Sequence, residues 1–554
     1  MIDVKTAIQS LVLVMVATLL AACGGGGGSS GTSPAPTPTF TVNNNSLSFG
    51  NQLQNTASAV QTVVITNSGT TALSISGVTV SGANASSFSE TNTCSSVAVN
   101  ATCSISVTFT PTITGNLSAS LSIASNASSS PLSVSLSGKS YDNGLPVTVD
   151  TGPSGLTAPA DPSLQASYSV NTLYATITVC TPGTNSCQAI DHVQIDTQSV
   201  GLRLMSSALT AVTPTAVKVG GNALFECSQF ADGYTWGSVG ALDVRLGGQT
   251  LSSVAVNVMG DAAAGTAPTD CSTPSGGSAG AGYPDESNVY SFGANGILGV
   301  GNFLQDCGSY CVSTVLPGSY YTCVAGACTG ATVPLSSQLQ NPVGLLNGNN
   351  TGVVVSLPAV TSTGVGNSPG ANSLSGTLFF GVNTAPNNQV GTTHTIYNVN
   401  SSGELTSVFA GSTLSQSFID SGSNAYFFND PSINVCTDNQ FFCPASTFSG
   451  SATITGANNG STLTVPFLID NADALFFDYT GTLIPYGPPV CTATGGCVGL
   501  ANVLTALPTL GGPNGSTITN AFDWGLPFFF GRDVYVLFEP STGTTNSTAP
   551  SIAF

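Results

Sequence analysis

Apolar and polar residues alternate with a period of two along most of the chain. Between residue 39 and about 140 the alternation is clear in Gln61-Thr62-Val63-Val64-Ile65, Leu73-Ser74-Ile75-Ser76, Cys103-Ser104-Ile105-Ser106-Val107 and Leu132-Ser133-Val134-Ser135-Leu136. This period puts every second side chain on one face of a strand. Asn67-Ser68-Gly69, Pro111 and Gly115 separate the runs as turns, and no helical spacing competes. Several short strands at regular intervals predict a β-sandwich over 39–140. From 141 onward the chain is again strand-rich, and two of its strands end alike. Ile195-Asp196-Thr197-Gln198-Ser199 and Ile419-Asp420-Ser421-Gly422-Ser423 each run from an apolar strand into Asp, a hydroxyl residue, a turn position and Ser. Asp150-Thr151-Gly152 has similar letters, but Pro153, Ser154, Gly155, Pro159 and Pro162 make its continuation a loop.

The N-terminus reads as a targeting segment. Lys5 precedes an apolar run from Leu11 to Leu19, too short for an ordinary membrane span, and Leu20-Ala21-Ala22-Cys23 follows. These residues resemble a bacterial lipobox, which implies a signal peptide over 1–22 and lipid attachment at Cys23. Residues 23–38, rich in Gly, Ser and Pro, read as a flexible tether. The expected location is a bacterial cell envelope, lipid-anchored, with the membrane met through that anchor only.

Composition narrows the function classes. With 6 Lys+Arg against 25 Asp+Glu and a net charge of −19, little basic surface exists to neutralise phosphates, so nucleic acid is not an expected partner. Few cations are available to pair with carboxylates, which permits acid tolerance. Setting Cys23 aside leaves 14 cysteines, mostly as near neighbours: Cys94/Cys103, Cys180/Cys187, Cys307/Cys311, Cys323/Cys328, Cys436/Cys443 and Cys491/Cys497. Cys227 and Cys271 form a longer pair, and the cluster Cys307 to Cys328 could pair in other ways. Disulfides are expected of an exported chain. No cofactor or metal is expected, because His192 and His394 are the only histidines and no two-Cys, two-His spacing occurs.

Two resemblances add to this reading. Leu47-Ser48-Phe49-Gly50, Val64-Ile65-Thr66-Asn67-Ser68-Gly69 and Cys103 to Pro111 resemble an immunoglobulin-like "choice-of-anchor D" module, which implies a spacer or binder. The rest resembles the pepsin-like bilobal aspartic peptidases, in a divergent bacterial branch. The landmarks occur in family order: Tyr174 to Gly183, Asp196-Thr197-Gln198-Ser199, Gly233 to Gly248, Gly296-Ile297-Leu298-Gly299, Val353 to Leu357, Gly376 to Asn383, Asp420-Ser421-Gly422-Ser423, and Phe522 to Arg532.

The expected architecture is therefore all-β: an immunoglobulin-like β-sandwich, then a bilobal pepsin-like β-barrel domain with lobes over 141–360 and 361–554. The resemblance implies that Asp196 and Asp420 share a proton and a water. Thr197 and Ser421 would brace the loops through crossed hydroxyl contacts, and Ser199 and Ser423 would hold the outer carboxylate oxygens. A hairpin bearing Phe230, Tyr234 and Trp236 would close over an extended peptide. Three residues depart from the pattern. Gln198 replaces the family glycine, Phe230 aligns with the flap tyrosine, and Arg203 replaces an aromatic and would put a cation near the cleft. Gly422 in the second loop is intact. Two readings stay open: an acid endopeptidase, or an inactive pepsin-like module binding extended peptide or another surface polymer. A monomer is expected.

Overall fold

The computed structural model describes residues 38–156, 169–273, 282–324, 326–360, 370–437, 440–476, 504–514, 519–540 and 550–554. Cys23, Cys491 and Cys497 lie outside these, so the expected anchor and one expected disulfide are not described. No helix among the described residues is long and apolar enough to cross a membrane.

The first unit is a two-layer sandwich. One sheet aligns Phe40–Val42, Gln61–Asn67, Thr102–Phe109 and Phe88–Asn92; the other aligns Ser46–Leu53, Leu132–Tyr141, Gly115–Ser125, Leu73–Ser81 and Ser96–Val97. The alternation read from the sequence becomes the core directly: Val63, Ile65, Ile105, Val107, Leu121 and Val134 are fully buried, while their polar neighbours face outward. Phe88 and Phe109 stack at 4.7 Å, with Phe49 5.8 Å from each. Gly138 leaves room for this cluster, because a Cβ there would collide with the Phe109 ring.

The second unit rests on a six-stranded antiparallel platform in the order Gly144–Val149, Leu374–Phe380, Gly352–Ser356, Asp533–Leu537, Ser551–Ala553, Ile396–Asn398. Its strands come from the beginning, middle and end of the domain, so the platform ties distant parts of the sequence together. Leu374–Phe380, expected to open the second lobe, is paired back onto Gly144–Val149.

Above the platform each half contains the same crossing. In the first, Gly296–Val300 runs parallel to Cys187–Asp196 and antiparallel to Val200–Met205, threading between the two arms of the Asp196 loop. In the second, Asp523–Trp524 runs parallel to Ser412–Ile419 and antiparallel to Tyr426–Phe427. Both crossings need glycine because the loop backbone lies directly on the threading strand. A Cβ on Gly299 would come within 2.6 Å of the Ser199 carbonyl carbon, and one on Gly525 would run into the Ala425 carbonyl.

The halves are filled differently. Val193, Ile195, Leu202, Leu204, Val256 and Leu298 make an aliphatic first core. The second is aromatic: Phe522 stacks on Phe428 at 4.7 Å and on Trp524 at 4.2 Å, and Phe528, Phe529 and Phe530 are buried. Each such ring contributes roughly 1.5–3 kcal/mol through burial, with a further ~0.5–1.5 kcal/mol from ring pairing. Six disulfides are formed among the described residues: Cys94–Cys103, Cys180–Cys187, Cys227–Cys271, Cys307–Cys311, Cys323–Cys328 and Cys436–Cys443. The pairing left open between Cys307 and Cys328 is thus the local one.

Candidate active site

Both aspartates arrive on strands whose preceding residue is locked in the core. Ile195 and Ile419 are fully buried, and Asp196 and Asp420 follow at the cleft floor, 5% and 9% exposed. Tight turns then satisfy each carboxylate. Asp196 Oδ1 accepts from the backbone N–H of Gln198 (2.7 Å) and Ser199 (3.1 Å). Asp420 Oδ1 accepts from the Gly422 N–H (2.7 Å), and its Oδ2 from the Ser423 hydroxyl (3.0 Å). The loops are laced together across the halves. Thr197 Oγ1 donates to the Ile419 carbonyl (3.1 Å) and accepts from the Ser421 N–H (3.0 Å), while Ser421 Oγ donates to the Ile195 carbonyl (2.8 Å).

This lacing brings the two carboxyl groups into hydrogen-bonding contact. Burial, the charge of Asp196, the charge of Asp523 and the hydrogen bond with Asp196 together push the Asp420 carboxyl well above the usual carboxylate range. The shift favours the protonated form of the Asp420 carboxyl. Asp196 Oδ1 accepts two backbone N–H groups. Gly422 lies against both: a Cβ there would sit 2.9 Å from Asp196 Cγ and 3.0 Å from Asp420 Oδ1.

The departures from the family pattern resolve structurally. Gln198 does not push its loop aside, since its backbone needs no positive φ and its N–H still reaches Asp196. Its carboxamide crosses to the other half and donates to the Ile419 carbonyl at 3.3 Å. Arg203 does line the cleft, but its charge is spent. Its guanidinium donates to Glu226 Oε1 (2.6 Å), Ser228 Oγ (2.7 Å) and the Val200 carbonyl (2.9 Å), with Asp306 at 3.7 Å. Tyr320 closes this buried network by donating to Asp306 (2.7 Å).

Two expectations need correction. Ser199 Oγ is buried without a hydrogen-bond partner and does not hold an outer oxygen of Asp196. Its backbone N–H takes that carboxylate instead, and its carbonyl is held by the Gly301 N–H at 2.8 Å. The flap assignments also divide. The hairpin is Asn222–Gln229 with Tyr234–Leu246, closed by a hydrogen bond from the Phe230 N–H to the Gly233 carbonyl. Phe230 lines the cleft with its ring 6.0 Å from Phe292. Trp236 packs instead against Phe225 and Tyr321 and donates to the Ala264 carbonyl, and Tyr234 joins the same cluster. Strand alternation explains this: residues beyond the tip of a hairpin share the cleft only on one face.

The cleft measures about 940 Å³ and is bordered by both aspartates, the hairpin and the second-half residues Gly422, Ser423 and Asn424. Glu226, Asp232, Glu286, Asp306, Glu404 and Asp523 also line it, and sequence reading singled out none of them. Glu286 is pushed up to about 8 by burial, then by the charges of Asp232 and Asp285. Local pattern gives no signal for these positions, since they come together only from separate parts of the chain. Asp150 lies apart from the cleft, with its carboxylate 3.3 Å from His192. Among the described residues, Cys436, Cys443 and Asp473 have metal-like spacing, but the two thiols are joined in a disulfide.

Residues 38–139 match the HYDIN/CFA65/VesB-like Ig-like domain. No curated protein matches the sequence. Among solved structures, the chain is similar to an aspartic proteinase from Irpex lacteus at 15% identity, covering 74% of this chain and 96% of that one with a TM-score of 0.36. It is also similar to a protein of unknown function from Porphyromonas gingivalis W83 at 15% identity and a TM-score of 0.17, over 20% of this chain and only 50% of that protein's length. Residues 139–490 and 497–554 match the family described as "Protein of unknown function (DUF3443)", and the chain belongs to that family.

Proposed function

We propose that this protein is an aspartic endopeptidase that hydrolyses extended peptide in acid, with Asp196 and Asp420 as its acid–base pair. The observation that carries the reading is the contact between two buried carboxyls at the crossing of two laced loops, open to a cleft of about 940 Å³. A water held between the pair gives its proton to the Asp196 carboxylate as its oxygen attacks the peptide carbonyl carbon. The Asp420 carboxyl hydrogen-bonds the carbonyl oxygen and transfers its proton to it, giving a neutral tetrahedral diol. Collapse sends the proton on Asp196 to the amine nitrogen as the C–N bond breaks, and a diol proton returns to Asp420. Phe230 on the hairpin limits water over the substrate.

The test is incubation of the full chain with an unfolded protein across pH 3–7, with fragments identified by mass spectrometry. Cleavage in acid that Asp196→Asn and Asp420→Asn each abolish is the expected result. A folded wild type that binds peptide saturably but cuts nothing would instead make it the inactive binding module.

The protein's place in the cell envelope belongs to the same proposal, through lipid on Cys23 of the lipobox-like run Leu20-Ala21-Ala22-Cys23. Cys23→Ser is expected to abolish lipid labelling and release the chain from membranes; retention in the membrane fraction would refute the anchor.

A further inference from the structure

The two threading strands are counterparts that differ at one telling position. In the first half Ile297 stands opposite Gln194 and Arg203; in the second Asp523 takes the corresponding place opposite Phe418 and Phe427. Each lies two residues before the glycine on which its aspartate loop rests, and each borders the cleft. Ile297 is 2% exposed and Asp523 6%. An aliphatic residue suits such a position, and the first half uses one. The second half buries a carboxyl whose Oδ1 has no hydrogen-bond partner, a costly placement without a compensating role.

The groups that meet Asp523 account for the role. The Ser423 hydroxyl stands between Asp420 and Asp523 and gives its one proton to either carboxyl at a time, and the charge of Asp196 acts on Asp523. The next residue along its strand, Trp524, accepts the Asp420 N–H at 3.0 Å. Its paired strands bring phenylalanines at 418 and 427 and Tyr426, whose hydroxyl is turned to Arg532. Among the described residues no cation is directed at Asp523: Arg203 is committed to Glu226, and Arg532 packs over Phe528.

We propose that Asp523 is a third carboxyl of the acid–base centre, a positioning residue that acts through Asp420 and Ser423. Together with Asp196 and Asp420 it keeps the catalytic pair singly protonated to a higher pH than two carboxyls alone would. Burial and then the charge of Asp196 hold the Asp523 carboxyl well above the ordinary range, against the opposing Ser423 hydrogen bond. As pH rises, each ionisation within the trio opposes the next, so the proton on Asp420 leaves later. This inference rests on the peptidase reading of the same site.

Two variants test it: Asp523→Asn, which keeps shape and removes charge, and Asp523→Ile, which copies the first half. The readouts are the pH profile of kcat/KM and the carboxyl titration of Asp420, followed by carbon NMR on the full chain with labelled aspartate. The alkaline limb and the Asp420 titration are expected to move down together by about one pH unit. Folded variants with unchanged profile and unchanged Asp420 titration would overturn the proposal. If wild type proves inert, a moved Asp420 titration would still establish the third carboxyl's influence and would refute only the peptidase reading; an unmoved one would refute both.

Discussion

The first aspartate loop carries glutamine where the second carries glycine, although both make the same turn around the same crossing. Over Gly422 lie the two carboxyls themselves, so no side chain fits there. Gln198 has room for its carboxamide to reach the opposite strand, where it adds a contact to the Ile419 carbonyl. What lies above a turn position therefore decides which residue it tolerates, and the motif letter alone does not. The walls differ in the same way. The first half supports its side of the cleft with a buried charge network, Arg203–Glu226–Asp306–Tyr320, whereas the second is packed with stacked rings around Trp524.

The largest expected effect comes from breaking the charge network. Arg203→Met leaves Glu226 and Asp306 buried without their cation, at a cost of about 3–5 kcal/mol in denaturant unfolding. Adding Glu226→Gln should recover much of it. A single variant as stable as wild type would mean that the two walls do not differ in this respect.

Next is the paired substitution in the loops. Gly422→Ala is expected to force the carboxyls apart and lower kcat/KM by about 100-fold or more, while Gln198→Gly changes it by less than about threefold. Similar losses in both variants would show that the two turn positions are equivalent after all.

The smallest effect concerns pH. Glu286 is held at about 8 in the folded state against its ordinary 4.5, so the native protein keeps a proton that the unfolded chain releases above its own pKa. The stability tied to that proton is complete below about 4.5 and is lost as pH rises toward 8. Asp420 and Asp523 are shifted in the same direction and add to this fall. Melting at pH 5 should therefore exceed melting at pH 8, and Glu286→Gln should narrow the gap by a few degrees at most, roughly what ~1 kcal/mol gives in a domain of this size. A gap that Glu286→Gln leaves unchanged would remove Glu286 from the flap-side contribution.

The sequence discloses what repeats locally. Alternation in Val63 to Ile65 and Ile105 to Val107 becomes a core, and an apolar strand ending in Asp becomes a cleft floor, because both depend on neighbours in sequence. The crossing glycines Gly299 and Gly525 are legible as landmarks for the same reason. The hidden part is what pairs over long distances. Arg203 reads as a stray cation until Glu226 and Asp306 arrive from other elements. Ser199 and Ser423 look equivalent, yet only Ser423 turns its hydroxyl to a carboxylate. Asp523 lies in an aromatic run and reads as a strand residue until its strand is seen threading the second loop.

A structure of the full chain bound to a peptide whose scissile amide is replaced by a secondary alcohol tests the dyad most directly. That alcohol mimics the tetrahedral diol and should bind at least about 100-fold more tightly than the parent peptide. The predicted result places its hydroxyl within hydrogen-bonding distance of both Asp196 and Asp420, beneath Phe230, with affinity lost in either Asp→Asn variant. A peptide seated away from the pair, or two carboxyls separated by several waters, would contradict a shared-proton dyad.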